Sequence, residues 1–188
     1  FNTAVIEPAD PNQTDRIIRY VASHFGNFYV RMGRHKYPVI LKSNGQPYFD
    51  EKYIYKYGKA DQIRQGSGLV IASSGGTLYE AVQAADKLAK AGVKVSVWNV
   101  PSVKAIDKKV LQDIQKIGKL IVVQDHNPLG GLAHCLESQL FVNQVAVSKY
   151  KNMAVNFYQL SDTQANLYKK AKINSDAIYK QVVKMLKK

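Results

Sequence analysis

The sequence predicts an α/β fold: a mostly parallel sheet with helices on both faces, preceded by a fragment of another α/β domain. Three observations predict it. From Gly68 onward, short apolar strand candidates alternate with amphipathic helix candidates, an order that joins parallel strands through crossovers. The first 40 residues offer one helix and one strand, too little to bury an apolar face unaided. Between them, residues 41–67 are rich in Gly, Pro, Asn, Lys and Tyr, the composition of turns and connections. The expected organisation is therefore 1–40, the tail of one sheet domain; 41–67, a linker; and 68–188, a complete α/β domain.

Each element follows from local pattern. From Thr14, the apolar residues Ile17, Ile18 and Val21 recur at helical spacing, and Phe25-Gly26 closes that segment. Phe28-Tyr29-Val30 is a short β-rich run ending in Arg31-Met32-Gly33-Arg34. In the linker, Tyr53, Tyr55 and Tyr57 alternate with Ile54 and Lys56, as in an extended chain resting on a neighbouring surface. Leu69–Ala72 is a strand candidate leading into Ser73-Ser74-Gly75-Gly76. Thr77 and Glu80 then have the spacing of a capping box. Leu78, Ala81, Val82, Ala85, Leu88 and Ala89 make one apolar stripe, and Gly92 ends that helix. Val93, Val95 and Val97 alternate as a strand. Asp107 caps a second helix with Val110, Leu111 and Ile114 inward, and Gly118 stops it. Leu120–Val123 is a fully apolar strand, and Gly130-Gly131 opens a third helix. Ala154–Phe157 is the last strand candidate, before a C-terminal helix with Ile178, Val182, Val183 and Leu186 on one face.

Composition narrows the function classes. The 188 residues are 46% hydrophobic and 22% charged, the balance of a folded globular chain. No apolar run is long enough to cross a bilayer, so no membrane partner is expected. The start, Phe1-Asn2-Thr3, lacks the basic and apolar regions of a secretory leader. A single cysteine, Cys135, allows no intrachain disulfide and points to a reducing cytoplasm. The net charge of +13 would attract phosphate of any kind. Yet the lysines are dispersed and no nucleic-acid-binding motif accompanies them, so they read as a solvated surface and no specific nucleic acid is expected.

Few residues carry a chemical signal. Ser73-Ser74-Gly75-Gly76 follows a strand and precedes a helix, where a phosphate can be cradled, but it lacks both phosphate-loop fingerprints and reads as a tight turn. Asp125-His126 sits where open α/β sheets place ligands. His24, His35 and His134 have no partner at metal-ligand spacing, and Cys135 lies on an apolar stripe. Arg31 and Arg34, three residues apart where a strand runs out, can present planar donors to a phosphate, or pair with carboxylates, or simply face solvent.

Together these residues resemble a known family. Glu7-Pro8-Ala9-Asp10, a helix, then Phe28 through Arg34 resembles the end of the pyrimidine-binding domain of transketolases. Tyr55 through Ala60 is similar to the segment joining it to the C-terminal domain. Gly75 through Ala81, Pro101 through Asp107, and Val122-Val123-Gln124-Asp125-His126 followed by Gly130-Gly131 fall in the family's order. Ala105 and Gln124 depart from it, where many relatives have proline and glutamate. The resemblance implies an enzyme that uses thiamine diphosphate with Mg or Ca to transfer a two-carbon ketol unit between ketose and aldose phosphates. It implies that cofactor and metal are held by upstream catalytic domains or a separate N-terminal subunit, none by this chain alone, and that the enzyme is a homodimer. Arg34 matches an arginine that holds the sugar phosphate, and Arg31 lines up beside it; no catalytic residue is carried over. Deoxyxylulose-phosphate synthase and the β subunits of 2-oxoacid dehydrogenases share the domain, and a stand-alone regulatory or binding module of the same fold is the remaining alternative.

Overall fold

A computed structural model describes residues 2–187. It begins with β1 (Thr3–Ile6), α1 (Pro11–Ser23) and β2 (Asn27–Val30), in which β2 lies parallel to β1 from Thr3↔Asn27 to Ile6↔Val30. The sequence revealed one strand here. β1 has four residues and is secured by pairing rather than by a pattern of its own. The helix starts before Thr14: Asp10 is its N-cap, accepting from Gln13 N at 2.7 Å, with proline in the first turn. Tyr53, Tyr55 and Tyr57 of the linker lie against this unit around Ile6 and Ile17. Tyr55 meets Tyr20 edge-on at 5.1 Å, a favoured arrangement of two aromatic rings.

The linker is not all connection. Asp61–Arg64 forms β3, an antiparallel edge strand of the main sheet. Its four residues, Asp-Gln-Ile-Arg, have one apolar member, so periodicity could not reveal it. The remaining strands are β4 (Val70–Ser73), β5 (Ser96–Asn99), β6 (Lys119–Val123) and β7 (Lys149–Met153), in the order β3-β5-β4-β6-β7, all parallel except β3.

Helices α2 (Thr77–Lys90), α3 (Lys108–Ile117), α4 (Leu132–Val142), α5 (Gln164–Lys170) and α6 (Ser175–Leu186) complete the chain. Ile71, Val97, Ile121 and Val123 pack against α2 and α6. Val70, Ala72, Trp98, Leu120 and Val122 face α3 and α4. Both faces are covered, which is why the segments at β4 and β6 read as nearly unbroken apolar runs. No helix of the described residues is long and apolar enough to cross a membrane.

Three expectations are corrected. The last strand is Lys149–Met153, not Ala154–Phe157. It is an edge strand whose Lys149, Tyr150 and Lys151 are exposed, so hydrophobicity did not mark it, and its lysines guard the open edge. The strand expected over Val93–Val97 lies at Ser96–Asn99. Thr77 and Glu80 form no capping box. The N-cap of α2 is Gly76, and Thr77 Oγ1 donates to the carbonyl of Ser74 at 2.9 Å. Glu80 instead accepts from Ser175 N at 2.7 Å, capping α6 across the core. By contrast, α3 runs as its sequence indicates, from the Asp107 cap to Gly118 at φ 71°.

Candidate functional site

The ends of β2, β4 and β6 converge where the N-terminal unit meets the carboxyl edge of the main sheet. Arg31 joins them. Its backbone N–H bonds to Ile6 O at 2.8 Å, continuing the β1–β2 ladder by one residue. Its guanidinium reaches the other part of the fold: Nη1 lies 2.6 Å from Asp125 Oδ1, and Nη2 donates to the Asp125 carbonyl at 3.1 Å. Nη1 is also 3.5 Å from Glu7 Oε1. Each carboxylate has a second donor. Tyr168 gives its hydroxyl to Asp125 Oδ2 at 2.7 Å, and Ser74 gives its hydroxyl to Glu7 Oε2 at 2.5 Å. Glu7 is fixed besides by its own N–H on Pro101 O at 2.8 Å.

The electrostatics agree with this geometry. Burial works against the charge on Arg31, but Asp125 and then Glu7 outweigh it and hold the guanidinium firmly protonated. Burial, joined by the Asp125 charge, raises the Tyr168 hydroxyl well above its ordinary value, so it stays a donor. Tyr37 is raised chiefly by burial, and His35 is lowered by burial against an opposing pull from Asp125.

Arg34 is placed differently. It is exposed and has no hydrogen-bond or ion-pair partner among the described residues. It lines a cleft of about 580 Å³ shared with His35, Asp125, Asp162, Gln164 and Tyr168, a volume ordinary for small-molecule sites. Asp162 is held down to about 2, first by Lys170, which bonds it at 2.7 Å. The two candidate arginines are thus divided by structure: Arg31 is committed to carboxylates, and Arg34 is free.

The other candidates form no catalytic constellation. Asp125 turns to Arg31 and Tyr168, while His126 Nδ1 lies 2.9 Å from the carbonyl of Asn127, so the two do not act as a pair. Burial raises the Cys135 thiol. His24 stacks on Tyr20 at 3.8 Å, and His134 accepts from Gly130 N at 3.2 Å. Gln124 is buried, accepting from Ala133 N at 3.3 Å and donating to Asn152 Oδ1 at 3.2 Å. An ionised glutamate there could not donate. Sequence reasoning missed Glu7 and Tyr168 as partners. Glu7 lies in a segment already singled out, but Tyr168 sits on α5, a helix of seven residues with no distinct apolar stripe.

Residues 58–178 match the family described as transketolase, C-terminal domain. One of the subunits of an apulose-4-phosphate transketolase from Actinobacillus succinogenes is 28% identical over 94% of this chain and 55% of its own length. Human transketolase is 26% identical over 96% of this chain and 28% of its own. A solved structure of a split gene transketolase, an inactive beta4 tetramer, superposes with TM-score 0.83 at 24% identity, covering 98% of this chain and 57% of that one. The match over most of the chain makes it a member of the transketolase family, carrying the C-terminal domain of that fold. The chain spans about half the length of the first curated relatives it matches.

The family generally uses thiamine diphosphate, and the turn after β4 is where the sequence offered a phosphate cradle. No group of three or more His, Cys, Asp or Glu side chains among them is arranged to hold a metal ion. In that turn Gly76 is packed closely: a Cβ on it would stand 2.8 Å from the Tyr37 ring and 3.1 Å from the Tyr168 hydroxyl. The turn is packed by aromatic side chains rather than opened to a diphosphate.

Proposed function

We propose that this chain is the C-terminal part of a transketolase-like enzyme that transfers a two-carbon ketol unit between ketose and aldose phosphates. Arg34 grips the substrate phosphate in this reading, and Arg31 holds the segment that presents it. The observation that carries the proposal is the contrast between the two guanidinium groups: one neutralised by Asp125 and Glu7, the other unpartnered at the mouth of a cleft. Residues 1–40 then close a pyrimidine-binding domain, 41–67 link it, and 68–188 form the C-terminal domain. Thiamine diphosphate and Mg or Ca bind to upstream domains or to a separate N-terminal subunit. The Actinobacillus relative is one of the subunits of its enzyme, and the structural neighbour comes from a split gene; both support the second arrangement. The chain alone is inactive, contributes to a homodimer contact and works in the cytoplasm.

The test assembles the chain with an N-terminal transketolase section, thiamine diphosphate and Mg²⁺, and compares a phosphorylated with a non-phosphorylated donor. A charge-assisted hydrogen bond contributes roughly 1.5–3 kcal/mol. Arg34→Ala should therefore lower kcat/KM for the phosphorylated donor by about ten- to a hundredfold or more. Most of the loss belongs in KM, because the phosphate is remote from the reacting carbon. Lysine should restore only part of it. Equal loss with both donors would overturn the assignment.

A further inference from the structure

A second cleft, of about 520 Å³, lies between the open edge at β7, the end of α5 and one face of α6. Its lining contains five lysines, Lys151, Lys170, Lys172, Lys180 and Lys184, and no Asp or Glu. Lys170 is paired with Asp162. The other four have no carboxylate partner among the described residues. Asp176, one helical turn before Lys180, is engaged by Lys87 at 2.6 Å.

The arrangement is specific to the fold. Neighbouring Lys149 has a structural use: its ammonium donates to the C-terminal carbonyls of Met185 and Lys187, at 2.9 and 3.0 Å, where a cation complements the helix dipole. Lys151, two residues along on the same side of the strand, has no such partner. Lys180 and Lys184 are one turn apart on α6 and destabilise that helix slightly by like-charge repulsion. Lys172 stands at φ 57°, a left-handed conformation that disfavours side chains with a Cβ. Four lysines from three parts of the chain line one concavity without an ion-pair partner of their own among the described residues, and the positive potential they create is one that a compact anion would relieve.

We propose that this cleft binds a small anion carrying several phosphate charges. The site is separate from the Arg34 cleft and does not depend on the ketol-transfer reading. A small ligand fits better than a nucleic-acid strand because the lysines surround one cavity of ligand size rather than following a track.

Calorimetric titration of the full chain with inorganic triphosphate, at low and at physiological salt, tests the proposal. One-to-one binding that weakens with salt is expected. Lys180→Gln/Lys184→Gln should lower the affinity about ten- to a hundredfold, up to roughly tenfold for each lost contact. Lys108→Gln/Lys109→Gln, the same charge change on exposed positions of α3 across the sheet, should lower it by less than about threefold. Thermal unfolding of both variants confirms that the fold is retained. Equal losses in the two variants would mean that net charge alone attracts the anion, and would overturn the site. So would monophosphate binding as tightly as triphosphate, or a single-stranded oligonucleotide binding more tightly and being lost with the same lysine pair.

Discussion

Replacing Arg31 with alanine should destabilise the chain, whereas the same change at Arg34 should not. Arg31 forms two hydrogen bonds to Asp125, at 2.6 and 3.1 Å, and a looser contact with Glu7 at 3.5 Å. Without it, Glu7 and Asp125 share the junction with no cation between them. Removing one member of a fully buried ion pair costs roughly 3–5 kcal/mol. The Arg31 and Asp125 side chains retain 31% and 16% exposure, so solvent screens part of that, and Tyr168 and Ser74 still serve the carboxylates. The expected loss is about 2–3 kcal/mol. For a chain of this size that lowers Tm by roughly 4–12 °C. Arg34→Ala, exposed and unpaired, should stay within about 0.5 kcal/mol of the parent. Urea and thermal unfolding followed by circular dichroism provide the measurement. A double-mutant cycle of Arg31→Ala with Asp125→Asn should return a coupling of about 1–3 kcal/mol. If Arg31→Ala costs no more than Arg34→Ala, or the cycle shows no coupling, the division between a structural and a free arginine is wrong.

Two further outcomes follow from the junction and the core. Asp61 is pushed up to about 6 by burial, against hydrogen bonds from Tyr53 and Asn99, with Asp107 adding to the rise. The folded state therefore keeps this proton where the unfolded chain has lost it, and the Asp61 contribution to stability falls as pH rises from about 4 to 6. Asp61→Asn should flatten that part of the stability–pH curve, adding about 1–3 kcal/mol at pH 8 and little at pH 4; an unchanged slope would refute the assignment. Glu80→Ala removes the acceptor for Ser175 N and should cost about 1 kcal/mol. Faster hydrogen exchange confined to the first turn of α6 would identify the mechanism, and unaltered exchange there would rule it out.

What the sequence determined by itself was whatever depends on neighbours a few residues away. Asp107 and Gly118 bound α3 because caps satisfy backbone groups locally. The apolar stripe of α2 and the unbroken runs at Val70 and Leu120 announce a sheet buried on both faces, and the order of motifs points to the transketolase family. Tertiary structure decided the rest. β7 is polar because an edge strand buries little, so its position is set by the register with Lys119–Val123. β3 is a strand only because β5 lies beside it. Glu80 fits a capping box by spacing, yet it serves a helix 95 residues away. Arg31 and Arg34 look equivalent in Arg-Met-Gly-Arg. Their roles separate only when folding brings Asp125, 94 positions along the chain, up to one guanidinium and leaves the other in the cleft, because an ion pair is a fact about distance in space and not about distance in sequence.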